Sequence, residues 1–317
     1  MRIQLLIITF FFSVTGLLAG NPGDTPDSVR YWKLISTGMF NLNQVALSNW
    51  AEGGESSISG SAIGSLKASY LKEGFKFDQF ANLAYGLTWN REQQWRKSDD
   101  KFDVGTTVGY QAFDQWYYSL MVNLKSQFSP GFKYPDDSTL VSDFMSPGRL
   151  FLSFGLEYKP DPKTSVFISP ASGKFVFVLN DELANKGAYG VTPAVRDTAG
   201  NIIVPGLHYN PKFGMNLVVA INRELMKNVN VDTKLNLHNN YMDAVVSNRW
   251  NFDMNWETAF NFKINSFLSS MLFLHLMYDH DVMVPYYEKV EGEKVKVGEG
   301  PRLQVKENFG IGVTIKV

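Results

Sequence analysis

The chain has 317 residues, with 30 basic and 31 acidic side chains and a formal charge of −1. That balance leaves no footprint for nucleic acid, and the absence of cysteine excludes a disulfide framework or a lipid anchor on a cysteine. With Phe 24, Tyr 14 and Trp 7, aromatics make up 14% of the chain, heavy for a soluble domain but suited to girdles at two membrane interfaces.

Residues 1–20 have the three-part layout of a signal peptide: Arg2, an apolar run from Ile3 to Leu18, then the small residues Ala19 and Gly20. Residues 21–36 are expected to form a short periplasmic segment, and 37–317 the main fold. No later apolar stretch nears the roughly 18–20 residues of a membrane helix; the longest, such as Leu217 to Ile221, are strand-length. About twelve strands are predicted instead, over 37–46, 57–71, 75–89, 101–111, 115–128, 149–159, 164–179, 212–225, 228–240, 250–264, 267–280 and 303–317. Short turns near Lys72–Gly74, Phe113-Asp114, Pro160–Pro162, Met226-Lys227 and Asn265-Ser266 alternate with long loops at 47–56, 90–100, 129–148, 180–211, 241–249 and 281–302.

The alternation within strands is strict. Val229, Val231, Thr233, Leu235 and Leu237 oppose Asn230, Asp232, Lys234, Asn236 and His238; Trp250, Phe252, Met254, Trp256, Phe260 and Phe262 share one face of another strand. Lipid is the natural solvent for so long an aromatic face. The reading is an all-β, transmembrane, antiparallel up-and-down barrel in the cell outer membrane, with short periplasmic turns and long extracellular loops. Ser169-Pro170-Ala171-Ser172-Gly173 interrupts its strand and shifts the alternation by one, which predicts a bulge. The last strand, with Phe309, Ile311, Val313, Ile315 and Val317 on one face, must close the sheet on the first. It also resembles the signal read by the barrel-assembly machinery, so the expected partners are that machinery during biogenesis and outer-membrane lipids.

The inward face carries Lys67, Asp78, Asp103, Lys125, Glu157, Asp232, Lys234, Asp253, Glu257, His275 and Lys306, together with Lys76, Lys159, Lys263 and Lys316. Charges cannot face lipid cheaply at mid-depth, so the lumen is polar. Hairpin arithmetic makes Lys234, Glu257 and His275 neighbours on adjacent strands, and Met271, Phe273 and Met277 bring apolar bulk inward. The leading reading is a narrow channel for small polar solutes. The alternative is a plugged structural barrel or a scaffold for a secretion or assembly complex. A third, an outer-membrane hydrolase, needs a serine beside one of His208, His238, His275 and His280, and no G-x-S-x-G elbow is present. The chain is not expected to be an enzyme. Nor is a cofactor or metal expected: Asp279-His280-Asp281 alternate faces, and Asp136, Asp137 and Asp143 lack EF-hand spacing.

Two loops stand out. Asn49, Trp50, Gly53, Gly54 and Glu55 form a tight-turn motif with Trp50 placed to anchor at the outer interface. The longest loop, Asn180 to Pro211, has apolar content that favours folding inward, with Leu183, Tyr189, Val191 and Arg196 as a candidate constriction.

The run Trp32-Lys33, Gly38, Leu42-Asn43-Gln44 and Leu47 to Ser56 resembles an uncharacterised family of Bacteroidetes outer-membrane β-barrel proteins, catalogued as a domain of unknown function (DUF 3078). Trp116-Tyr117-Tyr118, Phe128–Gly131, Tyr134–Ser138, Ser169–Lys174 and Gly187–Pro193 resemble the same family, so the resemblance covers nearly the whole mature chain. It implies a barrel in the outer membrane and almost nothing about chemistry.

Overall fold

Two-residue alternation places a polar and an apolar row on opposite faces of each strand, and in the computed structural model those strands close on themselves. The structure describes residues 31–45, 56–91, 93–290 and 293–316. The expected signal peptide and the motif Asn49, Trp50, Gly53, Gly54 and Glu55 lie outside the described residues.

The barrel strands are β1 (Trp32–Val45), β2 (Ser57–Lys72), β3 (Phe75–Asn90), β4 (Gln94–Phe113), β5 (Trp116–Ser126) and β6 (Gly148–Asp161). They continue with β7 (Thr164–Phe177), β8 (Tyr209–Met226), β9 (Val229–Asn239), β10 (Phe252–Lys263), β11 (Leu268–Tyr278) and β12 (Gln304–Lys316). Each pairs antiparallel with its sequence neighbours, and β1 pairs with β12 from Thr37↔Lys316 to Asn41↔Gly312, closing a twelve-strand barrel. Gly312 makes that seam possible, because a Cβ there would lie 2.2 Å from the carbonyl oxygen of Phe40. The fold class read from the sequence is therefore the fold observed.

The outward rows are apolar and bare: Leu42 is 74% exposed and Phe309 62%. The interior holds charge where a soluble fold would hold its core, with Lys76, Asp103, Glu157, Lys174 and His238 all buried.

The predicted bulge is present on β7. Phe154 pairs with Ala171, but Leu156 pairs with Ile168, so β7 carries one extra residue there. Phe167 and Ser169 are buried, Pro170 and Ala171 are both exposed, and Ser172, Lys174 and Val176 are buried again. Gly155 accommodates the displaced backbone, since a Cβ would meet the Ile168 carbonyl oxygen at 2.1 Å.

Several boundaries differ from expectation. β1 begins at Trp32 rather than at 37, so residues 32–36 are barrel wall and not a separate periplasmic segment. β4 begins at Gln94, which reduces the expected long loop at 90–100 to a tight turn. Its polar residues resemble a loop in sequence, but Lys97 is ion-paired with Asp100 at 3.0 Å, and a bulge opposite Gly86-Leu87 continues the ladder. The expected loop at 281–302 is largely a hairpin, Met283–Val290 against Glu293–Pro301.

Candidate functional site: the charged lumen

Ionic side chains line the lumen in tiers. Toward the rim with the short turns, buried Lys76 is ion-paired with Glu157 and lies 3.4 Å from Asp78, which Lys159 reaches at 2.7 Å. Glu157 also accepts hydrogen bonds from Ser119 Oγ (3.1 Å) and Ser165 Oγ (2.8 Å). Lys67 on β2 reaches across to Asp232 on β9 at 2.8 Å.

The middle tier rests on Glu257. Cross-strand register sets Lys234, Glu257, His275 and Lys306 in one row along β9, β10, β11 and β12. Glu257 does not pair along that row. Its carboxylate crosses the lumen to Lys101 on β4, which stands opposite β10 in the strand order, and to Lys125 on β5 at 3.1 Å. Lys125 also donates to Asn255 Oδ1 (3.0 Å) and lies 3.9 Å from Asp103, whose Oδ1 accepts from Asn123. Lys306 crosses to Asp99, and His275 Nε2 meets the Asn255 amide at 3.0 Å. Opposite walls are thus tied together by direct charge contacts.

In the upper tier Lys174 meets Asp253 at 2.7 Å and Asp279 at 3.3 Å, and Lys212 pairs with Asp281. Lys101, Asp99, Lys174 and Lys212 were missed in sequence. Lys174 had a readable signal, because the bulge at Ser169–Gly173 reverses the parity that otherwise turns it outward. Lys101 and Asp99 fell in or beside the expected loop. Lys263 is exposed at the end of β10, and the side chain of Lys316 lies outside the described residues.

Aromatic faces accompany the lysines. Lys234 Nζ sits 4.2 Å from the ring centre of Phe80, Lys101 5.3 Å from Phe273, and Lys76 5.3 Å from Tyr117.

Leu183, Tyr189, Val191 and Arg196, read as a candidate constriction, lie in the long loop after β7. Leu183 and Val191 are buried with Val178 and Ala184 in a small core of the loop's own, packed against Leu140. A short helix, α1 (Asp181–Asn185), capped by Asn180, carries Leu183 into that core. Arg196 is spent on the Gly200 carbonyl within a hairpin. The apolar content serves local folding. Tyr189 donates to the Val141 carbonyl, with the Arg149 guanidinium 5.9 Å from its ring. Burial pushes the Tyr189 phenol above its ordinary value, against the influence of Arg149.

No serine hydroxyl meets a histidine among the described residues. Ser153 Oγ contacts Ser172 Oγ at 2.6 Å and the Asn216 amide at 3.2 Å, while both ring nitrogens of buried His238 lack a hydrogen-bond partner.

A closed antiparallel barrel with an apolar outer wall and an ion-paired lumen is the class these features define. Residues 42–132 match a family profile described as "Protein of unknown function (DUF3078)". No curated protein matches the sequence. Among solved structures, an outer membrane channel from Pseudomonas putida F1 is similar at 12% identity and TM-score 0.35, over 92% of this chain and 99% of that one. The NanC porin is similar at 10% identity and TM-score 0.34, over 89% and 100%. The translocator domain of the autotransporter NalP from Neisseria meningitidis gives 8% and 0.31, over 98% and 95%. Scores of this size say nothing about what passes through a lumen.

Proposed function

We propose that this is an integral outer-membrane barrel of the porin-like kind, acting as a narrow conduit for small polar solutes and held closed at rest by transverse ion pairs. One observation carries the reading: Glu257 joins Lys101 and Lys125 of the facing wall inside a lumen that is charged from rim to rim. A barrel needing only to be filled gains nothing from this chemistry, since buried ion pairs are often matched or bettered by apolar side chains of similar volume. The pairs are also partly wet, as Lys67 and Asp232 keep 43% and 38% of their side-chain surface exposed. The apolar outer wall supports the lipid setting. Catalysis is not part of this reading.

The test is conductance in planar bilayers. Wild-type protein should give small, brief steps, and Glu257→Gln, which removes the carboxylate that ties Lys101 and Lys125 to the facing wall, should lengthen or enlarge them. A plugged structural barrel is the second reading, favoured by the buried Lys76–Glu157 pair. Silence of both proteins, with heat-modifiable gel migration retained, would sink the conduit and leave that second reading.

A further inference from the structure

We infer that the conduit takes small organic anions, with Lys234 as the binding station midway along the lumen and Arg149 as the receiving cation at its mouth. This rests on the conduit reading above and adds the class of solute to it.

The first observation is a mismatch of partners. Lys67, Lys76, Lys101, Lys125, Lys159, Lys174, Lys212 and Lys306 each have a carboxylate within 4.0 Å. Lys234 has no ion pair and no hydrogen bond among the described residues, although Glu257 is its direct cross-strand neighbour. Glu257 is committed across the lumen, so the middle tier sets Lys101, Lys125, Lys234 and Lys306 against Asp99, Asp103 and Glu257. One positive charge there is uncompensated. An ammonium in a confined, partly desolvated space attracts whatever anion can reach it.

The second observation is independent and lies higher in the barrel. Arg149 is the cross-strand partner of Lys125, so it shares the inward face at the upper end of β6, and it too lacks an ion pair among the described residues. Both cations lie near an aromatic ring, Arg149 at 5.9 Å from Tyr189 and Lys234 at 4.2 Å from Phe80. A cation beside a π face fits a carboxylate that carries an apolar body, because the charge meets the head and the ring meets the body. Small inorganic anions use the first element only.

Single-channel recording of the full-length protein under a KCl gradient, with benzoate and acetate as probes, tests the assignment. The wild type should prefer chloride to potassium, and benzoate should interrupt the current at lower concentration than acetate. Lys234→Gln should lower the chloride-to-potassium ratio by about threefold or more, and Lys234→Glu should reverse the preference. Arg149→Gln should weaken benzoate block from the upper side. Folding of each variant is checked by heat-modifiable migration, and Lys234→Arg, which keeps the charge, should retain the preference. Potassium preference in the wild type, or a ratio unchanged by Lys234→Gln, would overturn the anion assignment while leaving the conduit intact. A folded wild type that never conducts overturns the conduit, and this inference with it.

Discussion

Neutralising Glu157 should be among the most damaging single changes in the lumen, and the structure lets its cost be worked out. Glu157→Gln keeps the side-chain shape but strands the Lys76 ammonium, whose pair is almost dry, with 2% and 5% of the two side chains exposed. Removing one partner of a buried pair costs about 3–5 kcal/mol. Asp78 remains 3.4 Å from Lys76 but is shared with Lys159, so its compensation is incomplete and the expected cost is about 3 kcal/mol. Asp232→Asn is the matched control: its pair with Lys67 is 38–43% exposed and screened by water, so the cost is about 0–1 kcal/mol. The difference, about 2 kcal/mol, is roughly thirtyfold in the folded-to-unfolded ratio. Reversible urea unfolding in lipid vesicles, read by tryptophan fluorescence and by the heat-shifted band, resolves it. Lys76→Met combined with Glu157→Gln should recover part of the loss, because no charge is then stranded. Equal costs for the two single variants, or no recovery in the double variant, would refute the reasoning.

Gly155→Ala should abolish the heat-modifiable band or severely lower its midpoint, since the new Cβ would lie 2.1 Å from a backbone oxygen; Gly38→Ala, with nothing within 4 Å, should fold as wild type. In the loop after β5, hydrogen bonds from Ser138 and Thr139 hold the Asp136 carboxyl below the ordinary carboxylate range. A depressed folded value means the turn's contribution is present above about pH 4 and is lost only as pH falls through the lowered value. Protection of the Ser138 and Thr139 amides, taken relative to their intrinsic exchange rates, should therefore persist through about pH 4; protection lost already at pH 5 would contradict the assignment.

The barrel was legible because its signal is repetitive. Val229 to Leu237 and Phe252 to Phe262 alternate without a break, and each such strand pairs with the neighbour that the short turns dictate. The ends of β1 and β4 were not legible, because near the rims both faces meet water and polar runs such as Arg96–Asp100 lose the lipid-facing marker. The row Lys234, Glu257, His275 emerged from register alone, whereas Lys101, Asp99, Lys174 and Lys212 were not read as facing inward. What Glu257 binds was not readable. Contacts across a lumen depend on how a dozen tilted strands bring opposite walls together, and no local pattern encodes that the carboxylate reaches Lys101 rather than its neighbour Lys234. The loop core around Leu183 and Val191 was hidden for a related reason, since its partner Leu140 comes from a distant loop.

The bulge on β7 links wall geometry to lumen chemistry, and that link can be tested. Plain alternation from buried Phe167 would turn Lys174 outward; the consecutive outward pair Pro170 and Ala171 brings it in, to Asp253 and Asp279. Deleting Ala171 removes the extra residue and should reverse the upper part of the strand. Lysine then faces lipid at a cost of about 2–4 kcal/mol near mid-depth and less toward the rim. Asp253 and Asp279 lose a shared cation, and of the other cations near Asp279, Lys212 is already paired with Asp281 and Arg149 makes no direct ion pair among the described residues. Together these should cost more than about 3 kcal/mol and cut the yield of folded barrel sharply. Adding Lys174→Met to the deletion should restore part of that yield, because the residue turned toward lipid is then apolar. A deletion variant that folds with wild-type stability would mean the strand absorbs the missing residue elsewhere, and that the bulge does not set which side chains reach the lumen.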